Sequence, residues 1–176
     1  MNFTDFSAYP ATFISSPEGG FTVKVSGIEG AISEGDTKEE AIRNTVSAIA
    51  DMANYYLDEK RAIPPAPAVK AGEELIELPF VMALKLLIRN LMLEKGVSQR
   101  APAQAVGSSP QLISQSLDLT RTRTSVDSLI GYFGVLGYAL RVSVAKKNEL
   151  NLLADAATRP RSTAQSSQQK LPDFCT

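Results

Sequence analysis

Two glutamines, Gln111 and Gln115, have the side-chain type and the spacing that are needed to read DNA. They are four residues apart, so on a helix they project from the same face. A side-chain amide can donate to and accept from the edge of one adenine at the same time. Gln99, Arg121 and Arg123 flank this pair, at positions where they can meet phosphates. The predicted DNA contacts are Gln99, Ser109, Gln111, Leu112, Gln115, Arg121 and Arg123.

The residues around these glutamines follow the pattern of two short helices joined by a tight turn. Ala103 is small enough for two helices to cross closely, and Gly107 permits the turn between them. Ser109 can cap the next helix, and Pro110 takes its first position, where the missing N–H costs nothing. This pattern is typical of a DNA-binding helix-turn-helix. The plainer interpretation is a helical bundle with glutamine, serine and arginine on its surface.

Residues 94–137 resemble the lambda-repressor-like (Xre) helix-turn-helix family. The motif that carries the resemblance runs from Glu94 to Gly107 and continues from Ser108 to Gln115. That family usually has leucine just before the small alanine, where this chain has Pro102. A proline at the fourth residue of a helix removes one backbone hydrogen bond and a core side chain. Either the helix begins later than in the family, or the motif is weakened here.

The absence of histidine from all 176 residues excludes several classes of site. Ser-His-Asp and Cys-His catalytic groups, histidine-bound zinc and histidine acid–base catalysis cannot form within this chain. Cys175 is the single cysteine and cannot form an internal disulfide, which fits a reducing compartment. The first residues lack the pattern of a signal peptide, and the most apolar run, Phe80 to Leu93, is too short to span a bilayer. We therefore expect a soluble, cytoplasmic protein that is not an enzyme and uses no cofactor or metal.

Charge and proline content divide the chain into segments with different expected roles. Residues 1–70 hold six basic and ten acidic residues, whereas residues 79–145 hold seven basic and three acidic residues. The proline-rich run from Ile63 to Gly72 would be extended and would make few contacts, as a linker does. We predict an α/β domain over 1–68, a linker and possible strand over 69–78, a DNA-binding and dimerisation domain over 79–145, and a polar, disordered tail over 146–176.

Alternating apolar residues predict a β-hairpin near the start of the chain. The runs Tyr9 to Ile14 and Phe21 to Val25 have strand character, and the residues from Ser16 to Gly20 have turn chemistry. Phe21, Val23 and Val25 would share one face. Further short runs predict a third strand over 31–34 and a fourth over 74–78.

Helical signals follow the hairpin and dominate the second half of the chain. Thr37 and Glu40 form a capping box in front of apolar residues at helical spacing, which predicts a helix over about 37–60. The predicted fold class is α+β, with an N-terminal β-β-β-α(-β) module and a C-terminal all-α domain that ends in a short strand over 140–145. The helices predicted in the second domain are Pro79 to Glu94, Ser98 to Val106, a helix from Pro110 through Leu117, and Ser125 to Leu136.

A series of short motifs over about residues 9–68 resembles HicB, the antitoxin of the HicAB toxin–antitoxin systems. The motifs are Tyr9 to Phe13, Glu18 to Val23, Gly27 to Ile32, Glu34 to Ile42 and Ile63 to Ala66. The family usually has Pro-Gly-Cys in the turn where this chain has Glu29, Gly30 and Ala31. One HicB subclass also carries a lambda-repressor-like domain. The resemblance implies a truncated RNase H-like fold that binds and blocks a small RNA-cleaving toxin of the HicA type, and repression of its own operon through double-stranded operator DNA.

Four acidic residues are the predicted toxin contacts: Glu29, Glu34, Asp36 and Glu39. A toxin that binds RNA would be basic, so an acidic surface suits it. A two-metal nuclease would instead need several carboxylates that converge on one pocket. Asp36 and Glu39 fall at a predicted helix N-terminus, where acidic side chains simply complement the helix dipole. The sequence therefore favours a protein-binding surface over a remnant of nuclease chemistry.

Three functions are compatible with these patterns, and the first hypothesis is a two-domain antitoxin and transcriptional repressor. The alternative is a stand-alone helix-turn-helix transcriptional regulator whose α/β domain senses a small ligand, and the third is a residual RNase H-like hydrolase. We also predict a homodimer through residues 79–145. The helix from Pro79 to Glu94 has more apolar surface than one small domain can cover, and the strand from Leu140 to Ala145 has no evident partner in its own module.

Overall fold

The first half of the chain forms an antiparallel sheet with one long helix on it. A computed structural model of the chain describes residues 2–121 and 123–141. The described residues form a four-stranded sheet with the strand order β3-β2-β1-β4. Its elements are β1 (Ala8–Ser15), β2 (Phe21–Val25), β3 (Ile32–Gly35), helix α1 (Lys38–Asp58) and β4 (Glu73–Glu77), preceded by a 3-10 turn at Phe3–Phe6.

The predicted hairpin, third strand, long helix and fourth strand are confirmed. β1 and β2 pair antiparallel with Phe13 opposite Val23, and Phe21, Val23 and Val25 share one face as predicted. At the start of α1 the Thr37 hydroxyl accepts from the Glu40 amide (3.2 Å). The Glu40 carboxylate accepts from the amide of Asp36 (3.0 Å), one residue earlier than a capping box requires.

Helix α1 covers one face of the sheet and forms the core of the first half. The buried face holds Tyr9, Val23 and Ile76 on the strands, and α1 contributes Ile49 and Ala53. The connection from β3 to α1 is tight because a Cβ on Gly35 would lie 2.8 Å from the Cα of Ala41. Only glycine fits that position without moving the helix away from the sheet.

The second half is helical and is built around α2. Its helices are α2 (Phe80–Glu94), α3 (Arg100–Ala105), α4 (Pro110–Leu117) and α5 (Val126–Val135). The prediction that the helix near Pro79 is buried on several sides is confirmed, since α2 packs against the 3-10 turn, α1 and α5. The apolar surface of α2 is therefore covered within one chain and does not by itself require a second copy.

Two predicted elements lie wholly or partly outside the described residues. Leu140 and Arg141 have no strand structure, and Val142 to Ala145 of the predicted terminal strand are not described. The predicted tail over 146–176 also lies outside the described residues. Of the helices that the structure describes, none is both long enough and apolar enough to cross a membrane.

Pro102 is accommodated because α3 begins at Arg100 rather than at Ser98, where the helix was predicted to start. The helix starts at Arg100, so Pro102 is its third residue, and the first backbone amides of a helix have no partner within it. The missing N–H therefore removes no helical hydrogen bond, and the buried Pro102 ring contributes to the core instead. Ser98, predicted to begin this helix, does not cap it, since Gln99 is the N-cap residue and makes no side-chain capping bond.

The proline-rich segment after α1 has no helix or strand, as predicted, but its first residues are firmly held. The buried Asn90 side chain of α2 accepts from the amide of Ile63 (2.9 Å) and donates to the carbonyl of Ile63 (2.9 Å). The Tyr9 phenol donates to the carbonyl of Pro64 (2.8 Å), and burial raises the pKa of that phenol. The segment from Ile63 therefore connects the sheet to α2 through specific bonds.

We expect Asn90→Ala to lower the free energy of unfolding by about 3 kcal/mol, because it leaves a buried amide and a buried carbonyl of Ile63 without partners. Urea denaturation followed by circular dichroism measures this change. Asn44→Ala is the matched control, since Asn44 lies on the exposed side of α1 and donates to the carbonyl of Glu34 (2.8 Å). Asn44→Ala should lower the free energy of unfolding by no more than about 1 kcal/mol. Equal decreases for the two variants would contradict the role of Asn90.

Candidate functional site

Helix α4 presents its polar face to solvent and its apolar face to the core. Ile113 and Leu117 are buried, whereas Gln111 and Gln115 are exposed on the opposite side. Leu112 lies beside them with 57% of its surface exposed, so one large apolar side chain is left in water on this face. The predicted projection of the two glutamines from one helical face is what the structure has.

The N-terminus of α4 and the turn before it have the geometry that the sequence predicts. The Ser109 hydroxyl accepts from the amide of Leu112 (3.3 Å), and Pro110 is the first helical residue. Ser109 is thus engaged in capping α4. Gly107 adopts a left-handed conformation (φ +64°) in the short turn between α3 and α4, where glycine is favoured.

A shallow groove of about 250 Å³ runs beside α4 and brings several predicted contacts together. Leu112 and Gln115 line it from the helix, and Arg121 and Arg123 line it from the segment that follows. Both arginines are exposed. Gln99 is not part of this groove, because it lies at the start of α3 in a separate depression that Lys60 also lines. The structure therefore unites four of the seven predicted DNA contacts, whereas Gln99, Ser109 and Gln111 do not line the groove.

The segment that carries Arg121 and Arg123 is hydrogen-bonded to a buried lysine. Lys85 of α2 is fully buried, and its ammonium donates to the backbone carbonyls of Asp118 (2.8 Å) and Arg121 (2.6 Å). Burial lowers the pKa of Lys85 to about 8, against the opposing influence of the nearby Asp118 carboxylate. Lys85 is not among the residues for which the sequence predicted a function. A lone lysine between Leu84 and Leu86 in an apolar run was the available signal.

The same segment is also bonded to α1. The Asn54 side chain donates to the Asp118 carboxylate (3.1 Å) and accepts from the Arg89 guanidinium of α2 (2.6 Å). Arg89 also forms an ion pair with Asp58 (3.0 Å) near the end of α1. Burial acts to raise the pKa of Asp118, but hydrogen bonds from Thr120 and Asn54 hold it below its ordinary value. We call Asn54, Lys85, Arg89 and Asp118 the polar junction, because they join α1, α2 and the end of α4.

The four predicted toxin contacts are all exposed and lie along the β3 side of the sheet. Glu29 lies in the turn before β3, where its carbonyl accepts from the Tyr56 hydroxyl (3.0 Å). Glu34, Asp36 and Glu39 lie where β3 passes into α1, so Glu29 is at the opposite end of the strand from the other three. Within residues 2–121 and 123–141, these carboxylates form no ion pair, and no group of three metal-binding side chains lies together.

Comparison with known proteins gives a consistent set of relatives. Residues 8–87 match the model of a family described as "HicB_like antitoxin of bacterial toxin-antitoxin system". Antitoxin HicB 2 of Photorhabdus laumondii subsp. laumondii is 32% identical over 134 residues, which cover 76% of this chain and 94% of that protein. Antitoxin HicB of Escherichia coli (strain K12) is 28% identical over 121 residues, which cover 69% of this chain and 87% of that protein. The relatives match a longer part of the chain than the 80 residues of the family model.

The buried ammonium of Lys85 should make stability depend on pH in the alkaline range. Its pKa is lower in the folded chain than in the unfolded chain, so the unfolded chain binds more protons between about pH 8 and pH 10.5. The unfolding free energy of the wild-type chain relative to Lys85→Met should therefore rise by about 3 kcal/mol over this range. Urea denaturation at half-unit pH steps measures the difference. Lys24→Met, at an exposed lysine, is the control for the loss of one lysine side chain.

Proposed function

This chain belongs to the HicB antitoxins of bacterial toxin–antitoxin systems, and we propose that it neutralises a small RNA-cleaving toxin of the HicA type and represses its own operon. In this proposal the chain acts by binding and catalyses no reaction. Its partners are a basic toxin protein and double-stranded operator DNA, which both occur in the bacterial cytoplasm, so we expect the chain to act there.

The toxin-binding role is proposed for the sheet and α1. The family match covers residues 8–87, which include all four strands and α1. Glu34, Asp36 and Glu39 are exposed carboxylates where β3 passes into α1, without ion-pair partners among the described residues. Such a surface attracts a basic partner and speeds its association. We also propose that this part of the chain is a truncated RNase H-like module, for which the order of its strands and helix is the support.

The DNA-binding role is proposed for α3 and α4, acting as a helix-turn-helix of the lambda-repressor-like type. The single observation that supports it best is the exposed face of α4, which carries Gln111 and Gln115 and where Gln115 lines a groove together with Arg121 and Arg123. Amide side chains on a helix can read base edges, and arginines beside it can meet phosphates. The positive balance of residues 79–145 supports the same assignment.

We further propose that the repressor is a homodimer assembled through residues 79–145. Val126 and Ile130 on α5 and Tyr138 after it are substantially exposed apolar side chains, and a second copy could cover them. A two-fold dimer of such modules would bind an inverted repeat with half-sites about one helical turn apart, or a multiple of that distance.

For DNA, replacing Gln111 or Gln115 with alanine should weaken binding to the promoter region of the chain's own gene by about 1–3 kcal/mol and relax the base preference at one position. Replacing Arg121 or Arg123 with alanine should weaken binding to every sequence. Because one phosphate contact is lost, the slope of log affinity against log salt concentration should become shallower by about one. Fluorescence anisotropy with promoter DNA and with random DNA of equal length, at two salt concentrations, separates the two classes. Glutamine variants that lose equal affinity for both DNAs would show that these residues do not read bases.

For the toxin, Glu39→Lys should weaken binding at least about threefold, mainly by slowing association, because it places a positive charge in front of a basic partner. Asp127→Lys is the matched control, since both residues are exposed acids in the first turn of a helix. Surface plasmon resonance with the purified protein encoded beside this chain measures both rates. Equal effects of the two variants would argue against an acidic toxin-binding surface near β3.

A further inference from the structure

A cleft of about 450 Å³ lies between α1, the start of α2 and the backbone that follows α4. We call it the α1–α2 cleft. Its volume falls in the range of roughly 300–1,000 Å³ that is usual for small-molecule sites, which combine an apolar lining with a few polar groups that orient the ligand. The apolar lining of the cleft includes Val46, Ala50, Val81, Met82 and Leu119.

Helix α1 supplies hydrogen-bond acceptors to the cleft. Ser47 and Asp51 both line it, and because they are four residues apart they lie on one face of the helix. Asp51 is exposed and forms no ion pair within residues 2–121 and 123–141. An ionised carboxylate only accepts hydrogen bonds, and those that it accepts from a protonated amine are among the stronger ones. The α1 side of the cleft therefore suits an ammonium group.

The segment after α4 supplies hydrogen-bond donors to the same cleft. Thr120 and Arg121 line it, and the Arg121 side chain is 57% exposed. The Nε atom of Arg121 lies 3.7 Å from the Asp118 carboxylate, which is longer than a hydrogen bond. A guanidinium has five N–H donors, so Arg121 can still bind a carboxylate of a ligand through its terminal nitrogens.

The charges that line the cleft define the chemical class of its ligand. One acidic group and one basic group come from different elements, and apolar side chains lie between the same walls. An amine without a carboxylate can use Asp51 but is repelled by Arg121, and an acid without an amine meets the opposite problem. A compact apolar molecule with both an ammonium and a carboxylate group can bond to both residues. This is the chemistry of an apolar amino acid.

Arg121 also connects the cleft to the proposed DNA surface. It lines both the α1–α2 cleft and the groove beside α4, and no other residue is shared by the two linings. In the proposed function Arg121 binds a DNA phosphate through the same N–H donors that a ligand carboxylate would use. Ligand and DNA would then compete for this side chain, and by linkage each would weaken the binding of the other by the same factor.

We propose that the α1–α2 cleft binds an apolar amino acid, with its ammonium at Asp51 and its carboxylate at Arg121, and that this binding weakens the contact with DNA. The binding site follows from the cleft itself, whereas its effect on DNA rests on the proposed function. Repression then depends on the concentration of the amino acid.

Isothermal titration calorimetry of the full chain with L-phenylalanine tests the binding site. Phenethylamine, which lacks the carboxylate, and hydrocinnamate, which lacks the ammonium, should each bind at least about tenfold more weakly, because each loses a hydrogen bond to a charged group. L-phenylalanine that does not bind at millimolar concentrations overturns the site. Equal affinity for all three compounds overturns the assignment of the two charged groups.

A substitution at Asp51 gives a second test. Asp51→Asn should weaken the binding of L-phenylalanine at least about tenfold and leave the affinity for hydrocinnamate unchanged, since only the ammonium contact is lost. Asp127→Asn is the matched control, because it makes the same change at an exposed acid of α5 that does not line the cleft. Equal affinities of the two variants for L-phenylalanine would show that Asp51 does not bind the ammonium.

Fluorescence anisotropy with promoter DNA tests the effect on DNA. Saturating L-phenylalanine should weaken DNA binding by the wild-type chain at least about fivefold. The slope of log affinity against log salt concentration should become shallower by about one, because one phosphate contact is lost. Asp51→Asn should bind DNA like the wild-type chain when no amino acid is present, and the same concentration of L-phenylalanine should weaken its DNA binding less.

The two parts of the proposal fail in different ways. If L-phenylalanine binds but DNA affinity does not change, the competition at Arg121 is wrong and the cleft remains a binding site. If the wild-type chain does not bind its promoter DNA, the proposed DNA role and the effect on it are both overturned. Calorimetry with L-phenylalanine still decides the binding site in that case, because that measurement contains no DNA.

Discussion

Three polar side chains on the buried helix α2 determine how the described part of the chain is assembled. Lys85, Arg89 and Asn90 lie within six residues of one another on α2, where most other positions are apolar and covered. A buried polar group without a hydrogen-bond partner costs about 1–3 kcal/mol, and more if it is charged. Each of these side chains therefore needs partners from another part of the chain. Within the described residues every buried side-chain nitrogen and oxygen has one.

The partners come from three different places, and this makes α2 the common support of both proposed functions. Lys85 holds the backbone after α4, Arg89 reaches Asn54 and Asp58 of α1, and Asn90 binds Ile63. The groove beside α4 and the helix that covers the sheet are consequently fixed to the same element. A displacement of α1 would strain the bond from Asn54 to Asp118, three residues before the first groove arginine. The two surfaces are therefore parts of one bonded framework rather than separate units on a loose connection.

Local sequence signals predicted the fold well, whereas long-range polar contacts could not be predicted. The hairpin, the capped helix α1 and Pro110 at the start of α4 all follow from residues that are neighbours in the chain. The bonds of Lys85 to Asp118 and Arg121 join positions more than thirty residues apart, and no periodicity specifies such a pair. Pro102 was ambiguous because its effect depends on where α3 begins, which tertiary packing decides. For the candidate sites, residue type and helical spacing indicated α4, while the groove beside it required knowledge of where the segment with Arg121 and Arg123 runs.

The strand order has a consequence for the chain while it is being synthesised. β1 pairs with β2 and with β4, and the two partners lie on opposite sides of it. β2 follows within a few residues, but Glu73–Glu77 comes about sixty residues after β1. At typical translation speeds of about 5–20 residues per second, one edge of β1 stays unpaired for roughly 3–12 s. An unpaired strand edge is a template for association with other chains. The risk of mispairing for a nascent chain is therefore governed by the speed of the ribosome rather than by the stability of the finished sheet.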